Sequence, residues 1–453
     1  MNDFSKQGVD WQRFGLSKNP YSTRPLLEGG DVPIDQLFVG RDRERKELEA
    51  IFASDESACV AICGNVGVGK TSFANYEKSI WRRGATKPLF SSRTEIEACG
   101  DGLSKQKFIQ GIIASVLREI ELVSPNLVKN DERLKRLHLL VDVVSRIERS
   151  LGVSGGFGGF TAGVSTGSAS TLSIPPQLSD VSLEHHIDDL MDVIQSVEIG
   201  GIQYRGLIVH MNNFDTVSID EALHFFNEIR DVIQRPSIYF LFLGRSDFYR
   251  EVIAKEARVK AAFVQTPILM DPLSKSELVQ ALNARLDAFK AEGVQQAIKP
   301  IEDEVVSGLY DLYSGDVRSI LAAVSDIIRQ GGDTISGPLG IDSALALLAH
   351  ERLVRIEPKL TPESRKALWH LMERGRPMTQ TELATELGKQ TPNIVTMLKP
   401  LRDIGVLEVA DTEGVKKYLD LTPDFACLRY FLKAQKSVQE DAIQAATQLP
   451  LGL

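Results

Sequence analysis

The stretch Gly64-Asn-Val-Gly-Val-Gly-Lys70-Thr71 decides the fold of the first half of the chain. It has the spacing G-x-x-x-x-G-K-[ST], follows an apolar strand pattern at Ala58–Cys63 and precedes a helical pattern. Glycines at these positions allow backbone N–H groups to turn inward around phosphate oxygens. A glycine-rich turn without a ligand is the alternative, but strand, spacing and helix together favour a phosphate-binding loop.

The side chains of this loop indicate which ligands it takes. Lys70 supplies positive charge for the terminal phosphates, and the hydroxyl of Thr71 is suited to Mg²⁺. We therefore expect ATP and Mg²⁺ as cofactors. The predicted nucleotide-binding residues are Gly64, Asn65, Gly67, Gly69, Lys70, Thr71 and Ser72.

Composition limits the remaining classes of function. A chain of 453 residues is long enough for two or three domains. Its formal net charge of -9 means that any contact with nucleic acid must come from a local basic patch. No apolar run approaches the roughly 18 residues that cross a bilayer, and Met1–Gln12 lacks the apolar segment of a signal peptide. We expect a cytoplasmic protein with no membrane partner.

The order of strand and helix patterns predicts a parallel sheet. These patterns alternate from Ala58 to about Val264, which is typical of strands joined by crossover helices. The further candidate strands are Pro88–Ser92, Gly206–Met211 and Ile238–Leu243. A segment rich in Gly, Ser and Thr at 154–176 interrupts this order, and a solvated insertion is favoured there over a membrane or phosphate element.

The residues after Gly206–Met211 depart from what a hydrolytic site usually needs. One carboxylate normally holds Mg²⁺ and another orients water, but here the strand is followed by Asn212-Asn213-Phe214-Asp215. An amide can reach Mg²⁺ or orient water, yet it is neutral and cannot act as a general base. Slow hydrolysis is therefore expected. The alternative strand, Leu139–Asp142, has a pattern closer to a helix.

This stretch resembles the AAA+ and STAND ATPases, whose corresponding strand ends in an acidic pair, often with a further Asp. The resemblance implies that Asn212 stands at the Mg²⁺-linked position and Asn213 at the position of the catalytic Glu. Asp215 matches the further Asp. All three are therefore candidate catalytic residues, and Asn212 is, with Thr71, a candidate metal ligand.

Three arginines match sensor and finger positions under the same resemblance. Arg245, after Ile238–Leu243, corresponds to a polar sensor near the terminal phosphate, with a surface turn arginine as the alternative. Arg258 corresponds to an arginine finger that reaches a neighbouring subunit, which implies a homo-oligomer, or it is a solvated helix charge. Arg318, within Tyr313-Ser-Gly-Asp-Val-Arg318, corresponds to a second sensor or is a plain lid arginine.

The C-terminal part carries a helix-turn-helix pattern. Its helices are predicted at Pro362–Arg374, Gln380–Leu387 and Pro392–Asp403, and Gly388 ends the second of them. Asp411, Glu413 and Gly414 are predicted turn residues of a hairpin between Val406–Val409 and Tyr418–Leu421, which would form the wing. The candidate DNA-binding residues are Asn393, Thr396 and Lys399 on the third helix and Lys416 and Lys417 on the wing.

Charge leaves the partner of this unit open. Between Glu357 and Lys433, twelve basic residues are offset by eleven acidic ones, which is weak for binding driven by phosphates. Duplex DNA is the predicted partner, and a partner protein docked on the winged helix is the alternative. Such units resemble those of bacterial transcription regulators and of origin-recognition proteins.

The whole chain is thus predicted to have an α/β fold: a P-loop NTPase parallel sheet with a helical lid, plus a C-terminal winged helix-turn-helix domain. It resembles initiator-type AAA+ ATPases of the origin-recognition group and their STAND relatives along nearly its whole length. This implies a nucleotide-switched DNA-binding ATPase or, alternatively, a STAND-type signalling ATPase. The predicted segments are an adenine-pocket segment at 1–45, an ATPase core at 46–265, a lid at 266–352, a winged helix at 357–435 and a tail at 436–453.

Overall fold

The computed structural model describes residues 9–30, 34–54, 56–84, 86–98, 103–150, 180–332, 335, 337–413, 416–430 and 432. The insertion at 154–176 and the tail at 436–453 lie outside the described residues. The chain divides into two compact units, here called the sheet unit, Pro25–Asp271, and the helical unit, Met1–Arg24 with Pro272–Leu453. The predicted lid and winged helix fall together in the helical unit.

The sheet unit alternates strands with helices. Its strands are β1 (Ala58–Gly64), β2 (Leu89–Ser91), β3 (Ile96–Glu97), β4 (Gly206–Asn212), β5 (Ile238–Gly244) and β6 (Ile268–Met270). Its helices are α1 (Ile34–Leu37), α2 (Asp42–Ser54), α3 (Lys70–Arg83), α4 (Lys105–Val123), α5 (Pro125–Asn130), α6 (Glu132–Ser150), α7 (Asp180–Ser196), α8 (Ile219–Ile233), α9 (Phe248–Glu251) and α10 (Ala257–Lys260).

The strands pair in parallel in the order β2-β4-β5-β1-β6, and β3 adds to the end of β4. Every residue of β1, β4 and β5 is buried, because helices cover both faces of the sheet. Alternate side chains of β5 divide between two cores: Phe240 and Phe242 pack on one face, Tyr239 and Leu241 on the other. This arrangement places the carboxyl ends of β1, β4 and β5 at one edge of the sheet.

The predicted parallel sheet is confirmed, with two strands that the sequence reading missed. Each of the four predicted strands overlaps an observed one, and Leu139–Asp142 lies within α6, as its helical pattern indicated. The missed strands β3 and β6 have two and three residues. Such segments are too short to show a periodicity of their own.

The helical unit begins with four helices that correspond to the predicted lid. These are α11 (Lys275–Ala288), α12 (Asp303–Leu312), α13 (Val317–Gly331) and α14 (Ile341–Ile356). Ser274 and Glu277 form a capping box that starts α11, whose buried face carries Leu278, Leu282 and Leu286. Phe14, from the short 3-10 helix Trp11–Phe14, belongs to the same hydrophobic core.

The rest of the helical unit is a winged helix. Its helices are α15 (Pro362–Arg374), α16 (Gln380–Glu386), α17 (Thr391–Asp403) and α18 (Pro423–Ala426), and its strands are β7 (Met378–Thr379), β8 (Leu407–Glu413) and β9 (Lys416–Leu421). The strands form an antiparallel sheet in the order β7-β9-β8. Gly388, with a φ of 61°, lies directly after the C-cap of α16, in the turn that leads to α17. The predicted fold class is confirmed.

The predicted turn of the wing is wrong for two of its three residues. Asp411 and Glu413 lie within β8, where Asp411 is opposite Tyr418 and Glu413 is opposite Lys416. Cross-strand pairing therefore extends further than turn-forming residue types suggest. Gly414 lies outside the described residues.

Among the described residues, no helix combines the length and the apolar character that a membrane span requires.

The packing of α17 can be tested with two alanine substitutions on that helix. Leu398 is fully buried, whereas Val395 is 43% exposed. We expect Leu398→Ala to lower the free energy of unfolding by about 2–5 kcal/mol, because it removes core contacts and leaves a cavity. Val395→Ala should change it by less than about 0.5 kcal/mol. Amide hydrogen exchange of α17 measures both, and equal protection in the two variants would contradict this packing.

Candidate nucleotide-binding site

The predicted phosphate-binding loop joins β1 to α3 at the carboxyl edge of the sheet. Gly67 and Gly69 have left-handed backbones, with φ of 82° and 95°. A Cβ atom at Gly64 would lie 2.6 Å from the carbonyl oxygen of Met270, so the close packing of this strand end requires glycine. Because α3 begins at Lys70, the loop directs the N-terminal N–H groups of a helix into the turn. This is the geometry of an anion site.

Lys70 lies within the loop. Its Nζ donates hydrogen bonds to the carbonyl oxygens of Gly64, at 2.8 Å, and of Asn65, at 3.0 Å. The Oδ2 atom of Asp215 is 3.6 Å away. The lysine is 9% exposed, so its charge is held in a partly dehydrated position where interaction with a phosphate is strong.

Arg41, which is not part of the loop motif, supports the loop through hydrogen bonds. Its guanidinium donates hydrogen bonds to the carbonyl oxygens of Val68, at 2.7 Å, and of Asp271, at 2.6 Å, and lies 3.3 Å from Glu44. The sequence predicts that the segment 1–45, which includes Arg41, contributes to an adenine pocket. That assignment stays a prediction, while the contacts of Arg41 identify it as a support of the loop.

Thr71 and Asn212, the two predicted metal ligands, lie side by side. Asn212 ends β4, and its Oδ1 and Nδ2 atoms are 3.4 Å and 3.2 Å from Oγ1 of Thr71. Their oxygens are the type of donor that Mg²⁺ prefers. Among the described residues, no group of three His, Cys, Asp or Glu side chains could hold a metal. This fits Mg²⁺, which usually takes one or two protein ligands and completes its shell with phosphates and water.

Glu95 is a site residue that the sequence reading missed. It lies just before β3, and its Oε2 atom accepts hydrogen bonds from Nδ2 of Asn212 and, at 3.1 Å, from Nε2 of His210. The pairing of β3 with the end of β4 brings this carboxylate to the site. The sequence signal was an acidic residue a few positions beyond the strand predicted at Pro88–Ser92.

The charges around Glu95 follow from burial. Burial lowers the pKa of the fully enclosed His210 to about 4, helped by the charge of Lys78, so the imidazole is neutral at pH 7. Burial also lowers the pKa of Lys78 to about 8. Burial alone would raise the pKa of Glu95, but the hydrogen bond from His210 and the nearby Lys78 hold it below its usual value. Glu95 is therefore an anion at neutral pH.

Asn213 and Asp215 follow β4 but point to different roles. Asn213 is exposed and has a left-handed backbone, with a φ of 69°. Asp215 lies in the 3-10 helix Phe214–Thr216, and its buried Oδ1 atom has no hydrogen-bond partner among the described residues. The carboxylate beside Lys70 therefore comes from Asp215, at the further position, and not from Asn213.

The three predicted arginines are all exposed. Arg245 follows β5 at the carboxyl edge of the sheet, and its guanidinium is 3.4 Å from Asp247. Arg258 lies in α10, and Arg318 lies in the first turn of α13, where Asp316 caps the helix. Arg318 belongs to the helical unit, whereas the other two belong to the sheet unit. Their sensor and finger roles stay predictions.

The candidate DNA-binding residues occupy two surfaces of the winged helix. Asn393, Thr396 and Lys399 are exposed on α17. Lys416 and Lys417 are exposed on β9, opposite Glu413 and Thr412 of β8. The exposed acids of β8 are Glu408, Asp411 and Glu413. The wing therefore carries both signs of charge, and α17 exposes Asp403 as well as Lys399 and Arg402.

Comparison with known proteins gives similarity at the level of solved structures alone. No protein-family model and no curated protein sequence matches the chain. The ORC1 protein of Aeropyrum pernix, solved in complex with DNA, is 12% identical, with a TM-score of 0.42 over 90% of this chain and 95% of that one. The ORC2 protein of Aeropyrum pernix, in its ADPNP–ADP complexes, is 12% identical, with a TM-score of 0.44 over 96% and 100%.

A further similar structure is the RuvB Holliday junction branch migration motor of Thermotoga maritima. It is 14% identical, with a TM-score of 0.38 over 84% of this chain and 92% of that one. Proteins of the origin-recognition group, to which the motifs of this chain are similar, are thus among the matching structures. The P-loop fold of the sheet unit is established by its strand order and by the loop between β1 and α3, and the winged helix by the elements of the helical unit.

Proposed function

We propose that this protein is an ATP-binding molecular switch with slow hydrolysis that binds duplex DNA through its winged helix. The observation that carries the proposal is the phosphate-binding loop, in which Lys70 is enclosed beside Thr71 and Asn212. A buried lysine among carbonyl oxygens, with a helix N-terminus beside it, is suited to a polyphosphate. The ligand of the proposal is therefore ATP with Mg²⁺.

The residues of the loop divide the work of binding. Backbone N–H groups between Gly64 and Thr71 cradle the phosphates, and Lys70 exchanges its carbonyl contacts for the terminal phosphates. Thr71 and Asn212 would hold Mg²⁺, which when bound offsets the charge of the phosphate oxygens. Asp215 lies 3.6 Å from Lys70, so a movement of the lysine towards the phosphates would change this ion pair.

Slow hydrolysis follows from the two amides at the end of β4. Asn213 stands where a general base is needed, and an amide cannot take the proton of an attacking water. A carboxylate oxygen of Asp215 lies 3.6 Å from Nζ of Lys70, but the ion pair between them competes with a role of Asp215 as base. A long-lived ATP state suits a switch better than a motor.

Contact with DNA is proposed for the outer face of α17. Asn393 and Thr396 can reach base edges, and Lys399 a phosphate or a guanine. The wing contributes less, because Lys416 and Lys417 share their surface with acids. Exposed Arg258 is suited to a contact with a second copy of the chain, so the active form is proposed to be a homo-oligomer.

The second candidate function is a STAND-type signalling ATPase in which the winged helix docks a partner protein. The mixed charge of β8 and β9 favours this alternative, since a surface that reads DNA usually carries an excess of positive charge. The two candidates share the nucleotide site and differ in what the winged helix binds.

Nucleotide binding is tested by Lys70→Ala. Loss of the charged donor should weaken ATP–Mg²⁺ binding by about 100-fold or more, because hydrogen bonds to charged groups contribute about 1.5–3 kcal/mol each. Isothermal titration calorimetry measures the affinity. Lys46→Ala, an exposed lysine of α2, is the matched control and should bind as wild type. Unchanged affinity in Lys70→Ala would remove the site from consideration.

Slow hydrolysis is tested by placing an acid at position 213. Asn213→Glu should raise the turnover of ATP, because a positioned general base typically contributes about 10²–10⁴-fold. Asn213→Gln bears the same left-handed backbone strain without the charge and should not raise it. Phosphate release is the measurement. Wild-type turnover of many ATP per second would contradict the proposal and make Asp215 the first candidate for the base.

DNA binding is tested by fluorescence anisotropy with duplex DNA in ATP, ADP and no nucleotide. Lys399→Glu should weaken binding strongly and Lys416→Glu more modestly, while Lys359→Glu, exposed outside both surfaces, should have little effect. The slope of log affinity against log salt should be shallow, about −0.9 per phosphate contacted. ATP should favour the bound form over ADP.

Two results would instead support the docking alternative. One is no binding of wild type at low salt, and the other is binding that Lys399→Glu and Lys416→Glu leave intact.

A further inference from the structure

The geometry points to Glu95 as the acid that supports Mg²⁺ binding by Thr71 and Asn212. Glu95 is a positioning residue: it orients the amide of Asn212, and it supplies the negative charge that the end of β4 lacks. This inference rests on the proposed function, since it assigns a role within the same site. It concerns a residue outside the loop motif and outside the strand where the acid is expected.

The first argument is the direction of the Asn212 amide. An ionised carboxylate only accepts hydrogen bonds, so the group that Asn212 presents to Glu95 is its Nδ2 amide NH₂ group. Oδ1 of Asn212 is then the end of the amide that Glu95 does not hold, and Oγ1 of Thr71 lies 3.4 Å from Oδ1 and 3.2 Å from Nδ2. Without Glu95, nothing in these contacts would distinguish the two orientations of the amide. Glu95 therefore fixes which end of the amide is the NH₂ group, and it leaves Oδ1 as the atom of Asn212 that can accept a hydrogen bond or bind a cation.

The second argument is that Glu95 is itself held in place. Nε2 of His210 lies 3.1 Å from the same Oε2 atom, and since the carboxylate accepts, Nε2 is the protonated nitrogen. The His210 side chain is fully buried on β4, so it cannot swing away to release Glu95. The chain of contacts runs from His210 through Glu95 and Asn212 to Thr71. This is the arrangement of a group that fixes a metal ligand through a hydrogen bond.

The third argument is charge. Thr71, Asn212 and Asn213 are neutral, and Asp215 is paired with Lys70 at 3.6 Å. Among the described ion pairs, Glu95 has no Lys or Arg partner within 4.0 Å; its one ionisable neighbour at that distance is His210. The side chain of Glu95 is 28% exposed, so water reaches it. Its negative charge is therefore available to a divalent cation at this end of the loop.

The test measures how nucleotide affinity depends on Mg²⁺, using a non-hydrolysable ATP analogue so that turnover plays no part. Affinity is determined by calorimetry in EDTA and over a series of Mg²⁺ concentrations. The variant is Glu95→Gln, which keeps the shape of the side chain and removes its charge. The matched control is Glu97→Gln, the same change on an exposed side chain of β3 two residues away.

Glu95→Gln should bind the analogue in EDTA within about threefold of wild type, since Lys70 and the loop are unchanged. Mg²⁺ should increase the affinity for the analogue above its value in EDTA. The Mg²⁺ concentration that produces half of this increase should be about 10–100-fold higher in Glu95→Gln than in wild type, the usual effect of removing the partner of a metal ligand. Glu97→Gln should behave as wild type. A wild-type Mg²⁺ dependence in Glu95→Gln would overturn the inference.

A charge-exchanged double variant separates this role from a merely structural one. Glu95→Gln with Asn212→Asp moves the acid to β4 and the amide to position 95, so the hydrogen bond and one negative charge are retained. The Mg²⁺ dependence should return to within about threefold of wild type. If Glu95→Gln fails to bind the analogue even in EDTA, the Mg²⁺ dependence of the double variant decides between the two roles. A double variant as defective as the single one would overturn the inference.

Failure of the proposed function has a different signature. If the wild-type protein binds no nucleotide with or without Mg²⁺, the proposed function fails. If it binds the analogue equally well in EDTA and in Mg²⁺, nucleotide binding stands and the role of Glu95 is overturned.

Discussion

The parallel register of β1, β5 and β4 is the constraint on which the site depends. Cys63 pairs with Gly244, and Met211 pairs with Phe242, so all three strands end at one edge of the sheet. Each strand is buried over its whole length, and a one-residue slip would reverse which side chains face each core. The position of the loop at Gly64 relative to Asn212 is therefore set by packing far from the loop itself.

The same register explains how a carboxylate besides that of Asp215 comes to lie beside the amide at the end of β4. The short strand β3 extends the sheet beside the end of β4, where Glu97 pairs with Asn212. Glu95, two residues before Glu97 and just ahead of β3, then accepts a hydrogen bond from Asn212. Charge that is absent from one strand end is thus supplied across a parallel pair, because the ends of neighbouring strands share one edge. The chemistry of the site belongs to the edge, and no single strand motif contains it.

The sequence allowed prediction of features whose causes are local. The loop at Gly64–Thr71 and the bounds of α15 follow from the spacing of glycines, proline and apolar residues over one or two turns of chain. The place of Glu95 in the site could not be predicted from the sequence, because it depends on contacts between residues more than a hundred positions apart. The wing turn was misjudged because Asp411 pairs across the hairpin despite a residue type that favours turns.

The helical unit contains both α13, the helix that carries the predicted sensor Arg318, and α17, the helix proposed to contact DNA. Helix α13, which begins near Arg318, and helix α14 share one hydrophobic core with the winged helix, in which Ile328, Leu348 and Phe425 are all buried. Buried Arg352 of α14 donates a hydrogen bond to Asp326 of α13 at 2.9 Å, and Asp326 also pairs with Arg329, so an ion-pair network joins the two helices. Close-packed cores transmit displacement and resist local repacking. A change of position imposed on α13 would therefore carry the outer face of α17 with it, because both helices contribute to one packed core.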